Sequence, residues 1–146
     1  MGAQMRAKMV GDLPQIEGIE SEDYWLQQAN GPEVWVRVYR PEDQLEPLPA
    51  LLWIHGGGYC LGSMEADDHM VRQMALEVNS VIISIDYRLA PEHPFPAALN
   101  DASTALQWLA DNTGKLLVDP ARIAIGGISA GAGLAAGLAL HARDTT

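Results

Sequence analysis

Val34, Val36 and Val38 alternate with Trp35, Arg37 and Tyr39. A period of two marks a half-buried strand, here predicted over residues 34–40. Residues 24–28 read as a partner strand, with Asn30-Gly31-Pro32 as the turn between them. Two unbroken apolar runs, residues 50–54 and 81–85, predict strands buried on both faces, and residues 122–126 predict another strand. Elsewhere the period is helical. Met70, Val71, Met74, Ala75 and Val78 form one face, with Ser63 as a candidate N-cap and Glu65, Asp67 and Asp68 suited to a positive helix start. Ala98, Ala102, Ala105, Leu106 and Leu109 trace a second helix over about residues 96–110, and residues 130–143 form a Gly/Ala-rich third. Residues 41–49 form an acidic, proline-bearing loop, and three prolines between residues 88 and 96 exclude regular structure there.

From residue 50 onward, strands alternate with helices. That order predicts an α/β fold whose sheet is mostly parallel and covered on both faces, with an antiparallel start. Composition narrows the function. Apolar residues at 48 % make a packed core attainable in 146 residues. Nineteen acidic against nine basic side chains give a net charge of −10, which argues against a nucleic-acid binder. The single cysteine, Cys60, excludes a disulfide within the chain and a cysteine-based zinc site. It suits a reducing cytoplasm and reads as a small buried filler. No apolar signal segment is visible near the N-terminus. Residues 123–140 are uncharged, but 11 of these 18 are Gly or Ala, so the run reads as a strand and a close-packed helix rather than a membrane span.

Two motifs carry chemistry. Gly127-Ile128-Ser129-Ala130-Gly131 fits G-x-S-x-G between a predicted strand and a predicted helix, the setting of a nucleophile elbow. Ser129 Oγ would project there, with the dipole of the following helix directed at it. His55-Gly56-Gly57-Gly58-Tyr59 follows a buried strand. Its glycines permit backbone conformations that would turn N–H groups toward one oxygen, and with the N–H of Ala130 they could form an oxyanion hole.

These motifs, with the intervening Asp86-Tyr87-Arg88-Leu89-Ala90-Pro91-Glu92-His93-Pro94-Phe95-Pro96-Ala97-Ala98, resemble the hormone-sensitive-lipase-like family of α/β-hydrolase carboxylesterases over about residues 34–143. The resemblance implies a serine esterase acting on acyl esters, without metal or cofactor. Ser129 would be the nucleophile, the backbones of Gly57, Gly58 and Ala130 the oxyanion donors, and His55 a brace for the glycine loop. Asp86 and Glu92 would be scaffold residues beneath the site. Two positions depart from the family pattern: Ile128 stands where an acidic or polar residue is usual, and Ala132 where a second glycine is usual.

In this fold the triad runs Ser, then Asp or Glu, then His. Only 17 residues follow Ser129, and they hold His141 and Asp144 in the wrong order. At 1.5 Å per residue, His141 lies roughly 18 Å along the helix from Ser129. The chain therefore reads as an N-terminal arm or cap remnant, residues 1–16, followed by the N-terminal half of a hydrolase domain, residues 17–146. It is expected to be inactive alone and to self-associate or pair with a missing C-terminal half. His69 and His93 read as surface or structural residues, and Asp67-Asp68-His69 as a solvated helix start rather than a metal site. Two other readings compete. Gly131-Ala132-Gly133-Leu134-Ala135-Ala136 fits a dinucleotide fingerprint, but no following strand with a ribose-binding acid appears. A non-catalytic small-molecule binding protein on a hydrolase scaffold is the alternative.

Overall fold

A computed structural model describes residues 13–145; most of the N-terminal arm lies outside the described residues. Five strands form one mixed sheet. They are β1 (Ile19–Leu26), β2 (Val34–Pro41), β3 (Leu48–Ile54), β4 (Val81–Asp86) and β5 (Val118–Gly127), in the spatial order β1-β2-β4-β3-β5. β1 with β2 and β2 with β4 pair antiparallel, whereas β3 pairs parallel with both β4 and β5. The helices are α1 (Asp68–Val78), α2 (Ala97–Asp111), the single turn α3 (Thr113–Leu116) and α4 (Ala130–Thr145).

The larger core lies between one face of the sheet and α2 and α4. It collects Val34, Val36 and Val38 from β2, Ala50, Leu52 and Ile54 from β3, and Ala102, Ala105, Leu109, Leu134 and Leu138 from the helices. On the other face, α1 packs Val71 and Ala75 against Ile19, Tyr39 and Ile82. Every residue from Val81 to Ile85 is buried, as its unbroken apolar run predicts. β3 differs: Leu51 and Trp53 are only partly buried, because α1 covers β1, β2 and β4 rather than β3. The expected apolar face of α1 is also narrower, since Met70 and Val78 are 40 % and 64 % exposed. Ser63 does not cap α1. Its Oγ accepts from the N–H of Ala66 at 3.2 Å, opening a 3₁₀ turn (Glu65–Asp67) that precedes the helix.

Two further expectations change at the surface. Cys60 is exposed, not a buried filler, because the loop that carries it turns outward after the glycines. The start of α1 is not simply solvated. Asp68 accepts from Arg37 at 3.1 Å, Arg72 at 2.8 Å and the Tyr39 hydroxyl at 2.8 Å, while Asp67 accepts from Trp53 Nε1 at 2.9 Å. Arg37 also grips Asp23 at 2.6 Å. Three donors converging on one carboxylate make Asp68 the hub that ties α1 to the sheet.

The chain leaves β3 toward β4 on one side and returns across β3 to β5 on the other. The C-terminal ends of β3 and β5 therefore sit side by side where the winding reverses, the place where open α/β sheets bind ligands.

Candidate active site

Both motifs issue from those two strand ends. β5 turns into α4 through Ile128 and Ser129, and Ser129 has φ +55°. An L-residue in that left-handed region carries a cost of about 1–2 kcal/mol. The turn is closed by Gly131 N–H donating to Ile128 O at 2.9 Å and Ala132 N–H donating to Ser129 O at 3.0 Å. The flanking glycines are demanded by contact. A Cβ on Gly131 would lie 2.0 Å from Ile54 O, and one on Gly127 would lie 2.5 Å from the same oxygen. The elbow thus packs backbone to backbone against the end of β3, and Ser129 is left exposed at the top.

The glycine loop lies against the elbow. A Cβ on Gly56 would stand 2.9 Å from Ile128 O and 3.4 Å from Ser129 Cβ. Gly57 has φ +132°, and its carbonyl accepts from Leu61 N–H at 2.9 Å and Cys60 N–H at 3.2 Å. A side chain there would strike Leu61 O at 2.0 Å. A Cβ on Gly58 would meet only Cys60 Sγ, at 3.9 Å, so its φ of +64° is what calls for glycine. Among the described residues, the N–H groups of Gly57, Gly58 and Ala130 donate to no protein acceptor. Ala130 opens α4, where the first N–H groups are orphaned by helix geometry.

His55 is buried at the base of this loop, with its ring 4.2 Å from that of Tyr87 and nearly parallel to it. Its Nδ1 lies 2.7 Å from Gly56 O, so that nitrogen carries the proton and donates. The Tyr87 hydroxyl donates to His55 O at 2.8 Å. Burial first, then the negative charge of neighbouring groups, pushes the Tyr87 phenol up to about 12, so it stays a donor at any ordinary pH. Asp86 Oδ1 accepts from Met64 N–H at 3.2 Å where the loop exits, in keeping with a scaffold role.

The other histidines are elsewhere. His69 Nε2 donates to Pro14 O at 2.9 Å, His141 is exposed far along α4, and His93 lines a cleft of about 410 Å³ between α2 and α4. Among the described residues no histidine or carboxylate hydrogen-bonds the Ser129 hydroxyl, and no group of three His, Cys, Asp or Glu side chains could hold a metal ion. Two contributors, Tyr59 and Asp101, have no role in the motifs as read from the sequence. Tyr59 lies over α4 so closely that a Cβ on Gly133 would sit 2.5 Å from its hydroxyl, and Ala90 N–H donates to Tyr59 O at 2.9 Å. Asp101 is buried and accepts four hydrogen bonds from Arg88. Its signal lay in the sequence: an acid on the Ala98, Ala102, Ala105 stripe of α2 needs a cationic partner.

Residues 51–146 match the family model for the alpha/beta hydrolase fold. The carboxylesterase NlhH of Mycobacterium tuberculosis is 43 % identical over 112 residues, covering 77 % of this chain and 35 % of that protein. An arylesterase of Saccharolobus solfataricus is 40 % identical over 126 residues, covering 86 % of this chain and 38 % of its own length. Among solved structures, a bacterial heroin esterase superposes with a TM-score of 0.92 at 39 % identity, over 97 % of this chain and 45 % of the other. The metagenomic carboxylesterase EstE1 gives 0.86 at 42 % identity, over 97 % and 47 %. The chain thus spans a little over a third of these curated relatives and just under half of these solved chains.

Proposed function

Since the chain belongs to the α/β-hydrolase family, in its hormone-sensitive-lipase-like branch, we propose that it supplies the nucleophile and oxyanion hole of a serine carboxylesterase. The observation that carries this reading is the pairing of a left-handed Ser129 with three unengaged N–H groups in the loop beside it and on the next residue. Strain of that kind persists where the surrounding structure enforces it, and it clusters at active sites.

Ser129 Oγ attacks the carbonyl carbon of an acyl ester as its proton passes to a general base. The carbonyl oxygen becomes an oxyanion that accepts from Gly57, Gly58 and Ala130. Collapse of the tetrahedral intermediate expels the alcohol and leaves an acyl-serine, which water hydrolyses. His55 acts as a brace: its ring is committed to Tyr87 and to Gly56 O, so it is not the base. The triad Asp and His are not among residues 1–146, and these residues alone have negligible turnover. In a protein whose later residues supply that Asp and His, a fluorophosphonate labels Ser129, and Ser129→Ala abolishes labelling. Absence of labelling there would favour the binding-protein alternative.

The outer side of β5 has no partner strand among the described residues, and Leu117 and Ile128 beside it are 39 % and 51 % exposed. An open apolar edge invites pairing. The 146-residue chain therefore self-associates or takes a complementary chain at that edge. Sedimentation showing a monomer that melts sharply would contradict this.

A further inference from the structure

The glycine loop is closed by its own bonds to Gly57 O and packed against the elbow, and three further hydrogen bonds reach it from one short segment, residues 86–90. Asp86 takes the N–H of Met64 at the loop's exit, Tyr87 donates to the carbonyl of His55 at its start, and Ala90 donates to the carbonyl of Tyr59, the residue after Gly58. That segment begins on the last residue of β4, Asp86, and from Tyr87 onward is not regular structure, so something besides the sheet must set its path. The anchor is Arg88. Its backbone N–H donates to Asp101 Oδ2 at 2.9 Å, its Nε lies 3.0 Å from both oxygens, and its Nη2 lies 2.7 Å from Oδ1. Gln28 Nε2 adds a bond to Asp101 Oδ1 at 2.9 Å from the β1–β2 connection. Asp101 is 1 % exposed on the core face of α2. A fork of donors on a buried carboxylate fixes both distance and angle, which a single point charge would not.

We infer that the Arg88–Asp101 pair is a positioning device for the oxyanion hole: it sets the path of residues 86–90, and through them the aim of the Gly57 and Gly58 N–H groups. The inference rests on the proposed esterase reading for its catalytic consequence, but not for its structural one. Neither residue touches the reacting atoms. Their effect runs through Tyr59 O and His55 O, and so falls on transition-state stabilisation rather than on substrate affinity.

Cys60 provides a reporter independent of turnover. It is the only cysteine, it is exposed, and its Sγ lies 3.8 Å from Gly57 O. The test measures the rate of Cys60 modification by a neutral thiol reagent in the wild-type chain, Arg88→Met, Arg88→Lys and Asp101→Asn. Arg72→Met serves as a destabilising control on the opposite face of the sheet, where Arg72 binds Asp68 and Ser21. Arg88→Met is expected to change the Cys60 rate severalfold, Arg88→Lys to restore it in part, and the control to leave it near wild type at a comparable loss of Tm. Should Arg88→Met fail to fold, Asp101→Asn, which keeps the volume and loses the charge, decides on the same readout. In a catalytically complete protein carrying these residues, hydrolysis of p-nitrophenyl acetate should lose about 10²-fold in kcat at nearly constant KM, as for a donor misplaced by about an ångström. Cys60 rates and kcat that follow only the loss of Tm, as in the control, would overturn the inference. Wild-type protein that neither turns over ester nor labels at Ser129 would refute the esterase reading, while the Cys60 rates would still decide the positioning role.

Discussion

The two sides of this molecule are held by different physics. At the C-terminal ends of β3 and β5, geometry is set by contact: backbone meets backbone at Gly127, Gly131, Gly56 and Gly57 with no room for a Cβ. Under α1, geometry is set by charge, with Asp68 receiving Arg37, Arg72 and Tyr39, and Asp23 receiving Arg37. Steric fixation is insensitive to pH and intolerant of a single methyl group. Electrostatic fixation tolerates changes of shape and fails in acid. The elbow and the glycine loop use the first kind where backbone meets backbone, and the buried Arg88–Asp101 pair brings a fork of charged hydrogen bonds to the segment behind them.

The sharpest way to break the contrast is to add one carbon inside the elbow and one away from it. Gly131→Ala should cost about 3 kcal/mol, the upper part of the overpacking range, because its Cβ has only backbone to push against. Gly114→Ala, with open space around it, should leave stability within about 0.5 kcal/mol. Denaturant titration of both variants measures the difference. Equal effects would remove the steric account of the elbow.

Ser129→Gly tests the same region in the opposite direction. Glycine adopts φ +55° without strain, so the variant should be more stable than wild type by about 1 kcal/mol while losing any nucleophile. A loss of stability would mean that the serine is held there by something other than the turn.

The α1 side should answer to pH. Arg37 holds the Asp23 carboxyl below its ordinary range. For Asp68, burial pushes upward, but the bonds from Arg72, Tyr39 and Arg37 outweigh it and the net shift is downward. The unfolded chain therefore takes up protons first as pH falls below about 4. The stability these groups contribute is complete above that value and is lost as pH falls through the lower folded values. Asp68→Asn should cost about 1 kcal/mol near neutrality and flatten the acid limb of a stability-versus-pH curve. The smallest effect belongs to Cys60→Ser, within about 0.5 kcal/mol, because the exposed thiol packs against little.

These contrasts also mark how far the sequence could be read. Periodicity, apolar runs and the elbow motif located β2, β3, β4, the three longer helices and the elbow, whereas β1 runs over Ile19–Leu26 rather than residues 24–28, because it pairs along the whole of β2. β5 runs longer than its apolar core, from the buried Val118, and residues 120–122 are exposed where its pairing with β3 is interrupted between Leu48 and Ala50. Long-range polar partners were not legible. Asp68 looks like any acidic residue at a helix start until β2 brings Arg37 and Tyr39 beneath it. Cys60 looks like a small core residue until the left-handed Gly58 and Tyr59 turn the loop outward. The grip of residues 86–90 on the glycine loop joins positions more than 20 apart in sequence, and no local pattern announces it.

The most direct test of the account is the rate of p-nitrophenyl acetate hydrolysis by the 146-residue chain beside its Ser129→Ala variant. The account predicts that both show the same low rate, no more than about 10³–10⁴ over water, because an oxyanion hole without a base for Ser129 retains only that residual effect. Turnover at ordinary enzymatic rates that disappears in Ser129→Ala would contradict it, by showing that these residues already contain a working base.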